Sequence, residues 1–524
     1  MLVVIGFIIG RRIPLFFVTN NIKNIKFTFY ILKTAYMKKI STILTLLLLS
    51  AFTLQSCDDM DDKAVPVNDF IWKGLNLYYY WQPDVPDLAD NRFGNQGELN
   101  SYLQGFSSPE ALFNNLKYVD PTSTAKSDRF SVLVSDYNVL EAALQGVSKS
   151  NGVEYGLVYT DETQTSIFGY VRYILPDTDA SAKDIQRGDI FYAVDGVSLT
   201  VNNYRNLLGS DTYTLNLADY NDGTVTPNGE SVTLTKAQYA EDPVYFSDVV
   251  YNEGGKTIGY LMYNGFYSPY DAELNNAFGD FVAQGVNELV LDLRYNGGGS
   301  VRTATYLASM ITGQQLEGQL FAKEQWNPKL QSYFEDNNPE AITNNFTSSL
   351  SDNTSINHLN LTRVYILATG STASASELII NCLKPYVDVV VIGTTTIGKN
   401  VGSVTLYDSP DFSKNDVDPS HRYAMQPIVL KIVNKNGFGE YEEGIEPTIE
   451  MPEDYDNLGV IGSPDEPLLA TAINQITAAG RMPQQPHKSH RLFKGSKNLQ
   501  PFSEEMFIEE APKGLDHLIK NLPQ

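Results

Sequence analysis

Strand-length apolar segments alternate with helical segments from about Val244 to Ile476, and this alternation constrains the fold more than any other feature of the sequence. Short, bounded apolar runs are typical of buried strands. The predicted strands are Ile258–Asn264, Glu288–Leu293, Arg363–Ala368 and Asp388–Ile392. Val301–Ile311 places apolar residues on one helical face, and another helix separates the last two strands. The pattern predicts an α/β core over residues 244–478.

Composition excludes several classes of protein. The chain has 524 residues, of which 42% are hydrophobic, so it can form several domains with packed cores. Its net charge of −24 disfavours nucleic acid as a partner, because phosphate binding needs a cationic face. Only two cysteines are present, Cys57 and Cys382, which excludes a disulfide scaffold and a thiolate zinc cluster. The five histidines are scattered, and the sequence implies no metal ion or other cofactor.

The first 57 residues contain seven basic residues and no acidic ones, in contrast to the rest of the chain. Met37-Lys38-Lys39 is followed by an apolar run over residues 40–54 and then by Gln55-Ser56-Cys57. A basic start, a short apolar run and small residues describe a secretory signal peptide. Leu54–Cys57 also resembles a bacterial lipobox, in which the cysteine is lipidated. The alternative is an ordinary signal peptide with an incidental cysteine.

We therefore expect residues 1–57 to comprise an upstream extension and a lipoprotein signal peptide. Met37 is the expected start of translation, and the alternative for residues 1–36 is a genuine additional membrane segment. A lipid anchor at Cys57 would make the membrane a partner of the protein. The expected location is the cell envelope, on the periplasmic or outer-surface side.

Two smaller regions are predicted before the α/β core. Residues 65–125 are helical and rich in aromatic residues, which we expect to pack as a core, and Ser108-Pro109-Glu110 is a typical helix start. Residues 129–238 contain short β-rich runs and turns. Residues 479–524 are predicted to be a linker and a carboxyl-terminal tail.

The β-rich region contains a segment that resembles PDZ domains of bacterial proteases. Ile185–Gly196 follows the pattern (L/I)-x-x-G-D-x-I-x-x-V-(D/N)-G, with Ile190 one place before the isoleucine of the pattern. Its Gly188-Asp189 and Asp195-Gly196 dipeptides are turn signals that flank a short strand. A PDZ domain binds a peptide's carboxyl end as an added strand. By position, the binding edge would be formed by Tyr155, Gly156, Leu157 and Val158. The alternative is a β module used only for packing.

Three predicted strand ends carry residues suited to catalysis. Ser374 opens a helix, Lys399 follows a glycine after the next strand, and residues 295–299 form a glycine-rich turn after an earlier one. Strand ends are where α/β folds place their chemistry. A neutral, desolvated lysine can activate a serine, and turn or helix-start amides can stabilise an oxyanion. The alternative is structural, since Ser374-x-x-Glu377 is also a helix capping box.

These segments resemble the C-terminal processing, or tail-specific, serine protease family. The family segments S-A-S-A-S-E, T-F-G-K-G and L-D-L-R-x-N-x-G-G correspond to residues 372–377, 396–400 and 291–299. The resemblance extends over roughly residues 65–478 and implies a ClpP/crotonase-like α/β core, accompanied by a PDZ-like domain and a small helical amino-terminal domain. It implies Ser374 as nucleophile and Lys399 as base. The implied oxyanion donors are the amides of Ala375 and Gly298.

One departure from the family pattern concerns the third catalytic residue. Many members follow the lysine with G-T-V-Q, whose glutamine orients the lysine, whereas this chain has no glutamine there. Ser403 is the nearest polar substitute by spacing. The resemblance implies an extracytoplasmic serine endopeptidase with a Ser-Lys dyad, acting on proteins or peptides recognised through free C-terminal ends. The alternative is a non-catalytic peptide-binding PDZ lipoprotein with a vestigial protease core.

Overall fold

The computed structural model describes residues 65–160, 163–478, 490–499, 502 and 504–523. The predicted signal peptide and the lipidation site at Cys57 lie outside the described residues. Within these ranges, no helix is long and apolar enough to cross a membrane.

The described α-helices are α1 Pro66–Tyr78, α2 Gln96–Leu103, α3 Pro109–Leu116, α4 Tyr137–Leu144, α5 Tyr204–Gly209, α6 Asp271–Ala283, α7 Val301–Thr312, α8 Pro328–Asn337, α9 Ala375–Leu383, α10 Pro467–Thr477 and α11 Asp516–Ile519. The strands before residue 244 are β1 Val132–Val134, β2 Val147–Ser150, β3 Val153–Tyr159, β4 Ile167–Ile174, β5 Ile190–Val194, β6 Val197–Ser198, β7 Thr212–Asn221, β8 Thr224–Thr235 and β9 Ala237–Ala240. The later strands are β10 Val244–Glu253, β11 Lys256–Tyr263, β12 Glu288–Asp292, β13 Gly299–Ser300, β14 Leu320–Trp326, β15 Thr343–Asn345, β16 Arg363–Ala368, β17 Asp388–Gly393, β18 Val401–Ser403, β19 Leu406–Tyr407, β20 Ala424–Gln426, β21 Ile428–Asn434, β22 Ile449–Glu450, β23 Leu492–Gly495 and β24 Met506–Phe507.

A six-stranded mixed sheet forms the centre of the α/β core, in the order β10-β11-β12-β16-β17-β22. β10 and β11 form an antiparallel hairpin, and all the following pairs are parallel. The four strands predicted from the apolar runs are β11, β12, β16 and β17, so the predicted alternation is confirmed. Parallel strands need covering on both faces, which explains their continuous apolar sequences.

The two faces of this sheet pack against different helices because side chains alternate along a strand. On one face, Leu261 and Leu291 pack with residues of α6, α7 and α9 in one large apolar cluster. On the other face, Tyr260 and Val290 pack with residues of α10 in a second cluster. Because β12, β16 and β17 are parallel neighbours, their carboxyl ends lie at one edge of the sheet. The loops that follow them carry the predicted catalytic segments.

The amino-terminal helices share the core of the α/β region. The aromatic residues Phe70, Trp72 and Tyr78 of α1 are buried in the cluster that also contains Leu261. The predicted helical region is therefore present, and its aromatic residues pack as core. The helix start at Ser108 is confirmed, since its side chain accepts a hydrogen bond from the Ala111 N–H.

The strands of residues 153–235 and the later strand β23 form an antiparallel sheet in the order β23-β3-β4-β5-β7-β8, with β6 paired to β5. The strand predicted within Ile185–Gly196 is β5, and positive φ angles at Gly188 and Gly196 confirm the two flanking turns. One edge of the sheet is β23, a strand that comes from the carboxyl-terminal tail.

A second six-stranded sheet also incorporates the tail, in the order β13-β24-β18-β21-β14-β15. β24 runs parallel to both of its neighbours, β13 and β18. β13 directly follows the glycine-rich turn, and β18 directly follows Lys399. The tail strand therefore lies between two segments that carry predicted catalytic residues.

A buried ion-pair cluster fixes the end of β12 to α10. Arg294 is fully buried, and its guanidinium binds the carboxylates of Asp292 and Glu466, with an Nη1–Oε1 distance of 2.7 Å to Glu466. Glu466 also caps α10 by accepting a hydrogen bond from the Leu469 N–H. The cluster positions the chain immediately before the glycine-rich turn.

Removing Glu466 takes away the carboxylate that binds both the Nη1 and the Nη2 group of the fully buried Arg294, which is costly. We expect Glu466→Ala to lower the free energy of unfolding by about 3–5 kcal/mol, measured by urea denaturation. Asp211→Ala is the matched control, because the Asp211–Lys149 pair is exposed and should give no measurable change. An equal, small effect of both substitutions would contradict a stabilising role for the cluster.

Candidate active site

Ser374 lies at the amino end of α9 in an unusual backbone conformation. Its φ of 59° and ψ of −118° differ from the extended conformation of an ordinary N-cap residue. Such conformations are strained and concentrate at functional sites. The side chain is fully buried, and its Oγ donates a hydrogen bond to the main-chain oxygen of Glu504 at 2.7 Å. A capping role alone does not account for this geometry.

The glycine-rich turn packs directly against Ser374. Gly298 has a φ of 113°, and a Cβ at this position would lie 2.4 Å from the Ser374 Cβ, so only glycine fits. The same point is 3.0 Å from the amide nitrogen of Ala375. The two predicted oxyanion donors therefore flank the serine.

The two amides differ in their hydrogen bonding. The Ala375 N–H opens α9, where the first amides lack partners within the helix and the helix dipole favours negative charge. The Gly298 N–H donates instead to the side-chain oxygen of Asn296 at 2.9 Å. It would have to give up this hydrogen bond to stabilise an oxyanion.

Lys399 reaches the same main-chain oxygen as Ser374. Its Nζ lies 2.8 Å from the Glu504 oxygen, 3.0 Å from the Glu505 carboxylate and 4.6 Å from the centre of the Phe130 ring. The side chain has 0% exposure. The structure thus brings Ser374 and Lys399 to a single point.

The carboxylate of Glu377 connects the serine segment to the lysine segment. One oxygen accepts hydrogen bonds from the main-chain N–H groups of Ser374 and Lys399, both at 2.8 Å. The other accepts from the Gly398 N–H at 2.7 Å and from the Thr396 hydroxyl. Burial raises the pKa of Glu377, although its four hydrogen bonds oppose that shift. The sequence showed Glu377 only as a capping residue.

Ser403 and Gln426 extend the polar network beyond Lys399. The Ser403 hydroxyl lies 3.0 Å from the same Glu505 oxygen that Lys399 contacts. Gln426, on β20, donates its side-chain N–H to the Ser403 oxygen at 3.1 Å and accepts from the Thr405 hydroxyl. Both residues are fully buried. Gln426 carries no local sequence signal, because only the fold brings β20 next to β18.

The predicted peptide-binding residues lie on a different part of the molecule from Ser374. Tyr155, Gly156, Leu157 and Val158 are all on β3, and β23 occupies the edge that they form. A link between the two parts comes from Arg172 on β4, whose guanidinium donates to the Ser371 hydroxyl at 2.9 Å. The predicted binding edge thus exists as a strand edge and already holds a strand of the same chain.

Among the described residues, one group has the composition of a metal site. Side-chain atoms of Asp408, Asp418 and His421 all lie within 4.8 Å of one another. The His421–Asp408 hydrogen bond of 2.9 Å already accounts for part of this grouping. Burial raises the pKa of Asp408 to about 6, and the histidine opposes that shift. None of these residues contacts Ser374 or Lys399 in the hydrogen bonds described above.

Comparison with known proteins identifies the family of this chain. A model of peptidase family S41 matches residues 257–451, and a model of the peptidase S41 N-terminal domain matches residues 66–132. The chain belongs to peptidase family S41. Ser374, Lys399, Ser403 and Gln426 all fall within the first match.

Relatives of this S41 chain include a carboxyl-terminal-processing protease from Picosynechococcus sp., 25% identical over 245 residues, which are 45% of this chain and 52% of that protein. A protein named as a probable CtpA-like serine protease from Staphylococcus epidermidis is 26% identical over 222 residues, 42% of this chain and 39% of that protein. The alignments thus span about half the length of these relatives or less. A crystal structure of a candidate S41 protease from Bacteroides fragilis is 28% identical with a TM-score of 0.60, covering 78% of this chain and 97% of that one.

The hydrogen bonds between Glu377 and the two catalytic loops lead to a prediction for this S41 chain. Glu377→Gln keeps the side-chain shape but turns an NH2 group towards main-chain N–H groups, which leaves donors unsatisfied. We expect a loss of about 1–3 kcal/mol in the free energy of unfolding. We also expect labelling of Ser374 by a fluorophosphonate to slow by at least tenfold, since the serine and lysine loops lose their common anchor.

The matched control is Glu273→Gln. Glu273 also occupies the third position of its helix, α6, but is exposed. This variant should match the unsubstituted protein in stability and in labelling rate. Unchanged labelling in Glu377→Gln would show that the hydrogen bonds of Glu377 do not position Ser374 and Lys399.

Proposed function

We propose that this protein is a serine endopeptidase in which Ser374 is the nucleophile and Lys399 is the general base. The observation that carries the proposal is the convergence of the Ser374 hydroxyl and the Lys399 amine on one main-chain carbonyl oxygen, in a buried site at the strand ends. Family membership supports the same activity.

The chemistry uses only groups of this chain and a water molecule. The Ser374 oxygen attacks the carbonyl carbon of the scissile peptide bond while its proton moves to the neutral Lys399 amine. The resulting oxyanion accepts a hydrogen bond from the Ala375 N–H at the start of α9. Lys399 then protonates the leaving amine as the C–N bond breaks. A water molecule, deprotonated by Lys399, hydrolyses the acyl-enzyme ester and frees Ser374.

Ser403 and Gln426 support a positioning role next to the base. The glutamine that many family members place after the lysine is missing from that position in this chain. Gln426 instead reaches the region from β20 through the Ser403 hydroxyl. In the proposed enzyme, Gln426 holds the Ser403 hydroxyl, which orients Lys399 when the Glu505 carboxylate does not contact the amine.

Protein or peptide substrates are proposed to bind as added strands. The edge of β3 demonstrates that it can pair with an extended segment, since β23 is paired there in antiparallel register. This supports a PDZ-like role for residues 129–238. The proposed preference for free C-terminal ends rests on the family resemblance. We further propose, from the family resemblance, that the α/β core is of the ClpP/crotonase-like type.

The dyad is tested by substitution at both positions. Ser374→Ala and Lys399→Ala should each abolish cleavage of a peptide substrate, and the double variant should be little worse because the two residues act as one unit. Lys399→Arg should also be inactive, because a guanidinium stays protonated in proteins. The measurement is peptide cleavage followed by mass spectrometry.

Retention of proteolysis by a clean preparation of Ser374→Ala would sink this assignment. Peptide binding without cleavage by the unsubstituted protein would instead support a non-catalytic binding protein. Ser409→Ala is a suitable control, because Ser409 bonds to residues of its own loop. Its cleavage rate should equal that of the unsubstituted protein.

We also propose that the protein is lipid-anchored at Cys57 in the cell envelope. The support is the lipobox-like sequence and the apolar run before it. In a host that processes lipoproteins, Cys57→Ala should shift the protein from the membrane fraction to the soluble fraction, because the acyl chains would be missing. Cys382→Ala controls for loss of a thiol. Unchanged partitioning of Cys57→Ala would rule out this anchor.

A further inference from the structure

The carboxyl-terminal tail connects the β3 edge with the catalytic residues. We define the edge segment as residues 490–499 and the cleft segment as residues 504–508. Both are described in the structure, and each makes main-chain and side-chain contacts with one of the two proposed peptide-binding places. These contacts belong to a region that the sequence marked only as a linker and tail.

The edge segment behaves as a bound strand. β23 pairs with β3 so that Leu492, Lys494 and Gly495 face Val158, Leu157 and Gly156 respectively. The next residue continues the pairing, since the Ser496 N–H donates to the Tyr155 oxygen at 2.8 Å. The segment therefore occupies all four residues predicted to bind peptide.

Two side chains anchor the edge segment in buried polar surroundings. The Lys497 ammonium contacts the Glu241 carboxylate at 3.0 Å and the Asn264 main-chain oxygen at 2.9 Å. Ser496 donates to Glu154, and burial raises the pKa of Glu154 to about 7. Buried charges are retained where they are paired, so these anchors specify one register for the segment.

The cleft segment engages both members of the proposed dyad. The Glu504 main-chain oxygen accepts hydrogen bonds from Ser374 and Lys399, and the Glu505 carboxylate forms an ion pair with Lys399. The main-chain oxygen of Glu505 also lies close to Gly298, since a Cβ added to that glycine would be 2.9 Å from this oxygen. The tail therefore fills the space in which a scissile peptide would have to lie.

The strand after Glu505 fixes the cleft segment in place. Met506 is fully buried, and β24 pairs with β13 on one side and β18 on the other. The Ile508 N–H donates to the Ser403 main-chain oxygen at 3.1 Å. A substrate that adds a strand here would compete with β24 for the same main-chain partners.

The contacts of the cleft segment oppose catalysis for two reasons. The Lys399 amine is held by the Glu505 carboxylate at 3.0 Å and by the Glu504 main-chain oxygen at 2.8 Å, so it is bound to the tail instead of being free to take the Ser374 proton. In addition, the Ser374 hydroxyl donates its proton to the Glu504 oxygen, so the carbonyl oxygen rather than the carbon faces the nucleophile. The geometry is that of a blocked site.

We propose that residues 490–499 and 504–508 are a resident ligand of the peptide-binding surface, which lowers the activity of the dyad for as long as the tail is bound. The proposal rests on the proposed serine peptidase function. It predicts that a competing peptide binds both the β3 edge and the cleft as an extended strand, with an acidic residue at the position of Glu505.

The test uses the full chain with Glu505→Gln, which keeps the strand but removes the charge that faces Lys399. Fluorophosphonate labelling of Ser374 should become at least tenfold faster than in the unsubstituted protein. Trypsin should also cut faster after Lys494 and Lys497, because loss of the Glu505 contact releases the cleft segment and, with it, the edge segment more often. Glu510→Gln is the matched control, since Glu510 forms its ion pair with the exposed Lys513, and both rates should stay within twofold of the unsubstituted values.

A synthetic peptide of residues 490–510 provides the second arm. Added to the Glu505→Gln protein, it should slow labelling in proportion to its concentration. The same peptide carrying Glu505→Gln should be at least tenfold weaker. Inhibition of equal strength by both peptides would overturn the role assigned to Glu505.

The outcomes separate the two proposals. Equal labelling rates in the Glu505→Gln, Glu510→Gln and unsubstituted proteins would overturn the resident-ligand proposal and leave the peptidase function standing. If no variant labels, the peptidase function fails, and the trypsin comparison alone decides whether Glu505 retains the tail. Removal of the tail by the unsubstituted protein, but not by Ser374→Ala, would make the tail a substrate and overturn the proposal.

Discussion

The buried carboxylate of Glu377 is the interaction on which the candidate site depends. Ser374 and Lys399 follow two different strands, and packing of the apolar sheet alone does not determine how their loops meet. Four hydrogen bonds to the Glu377 carboxylate join the two loops. Three of them come from main-chain N–H groups, on both loops, and one comes from the Thr396 hydroxyl. A buried carboxylate without these donors would be unfavourable, so the loops and the carboxylate stabilise each other. The unusual φ of Ser374 is tolerated in this setting.

Sequence reasoning predicted those features that arise from local pattern. The strands β11, β12, β16 and β17 were predictable because short apolar runs between turns have few other solutions. Their parallel order then places three loops at one sheet edge, which is why Ser374, Lys399 and Gly298 lie close together.

Features that depend on contacts distant in sequence were not predictable. Gln426 reaches Ser403 only because β20 and β18 are brought together in the fold, and nothing in its neighbourhood distinguishes it from other glutamines. The resemblance implies the Gly298 amide as an oxyanion donor, but it does not reveal that this amide donates to the side-chain oxygen of Asn296, two residues earlier. The tail was interpreted as a linker because its sequence is polar and basic up to Glu504. Strand pairing uses main-chain groups, so such a segment can bind an edge without any apolar signature.

The burial of Lys399 has opposite consequences depending on what lies beside it. In an apolar surrounding without a counter-charge, desolvation favours the neutral amine that a general base requires. With the Glu505 carboxylate in contact, the same exclusion of water strengthens the ion pair, because Coulomb interactions grow as the local dielectric constant falls. A buried lysine site is therefore also a site that one acidic residue can occupy tightly. An extended substrate that lacks an acidic residue at this position would leave the Lys399 amine without this ion pair, whereas the chain's own Glu505 forms it.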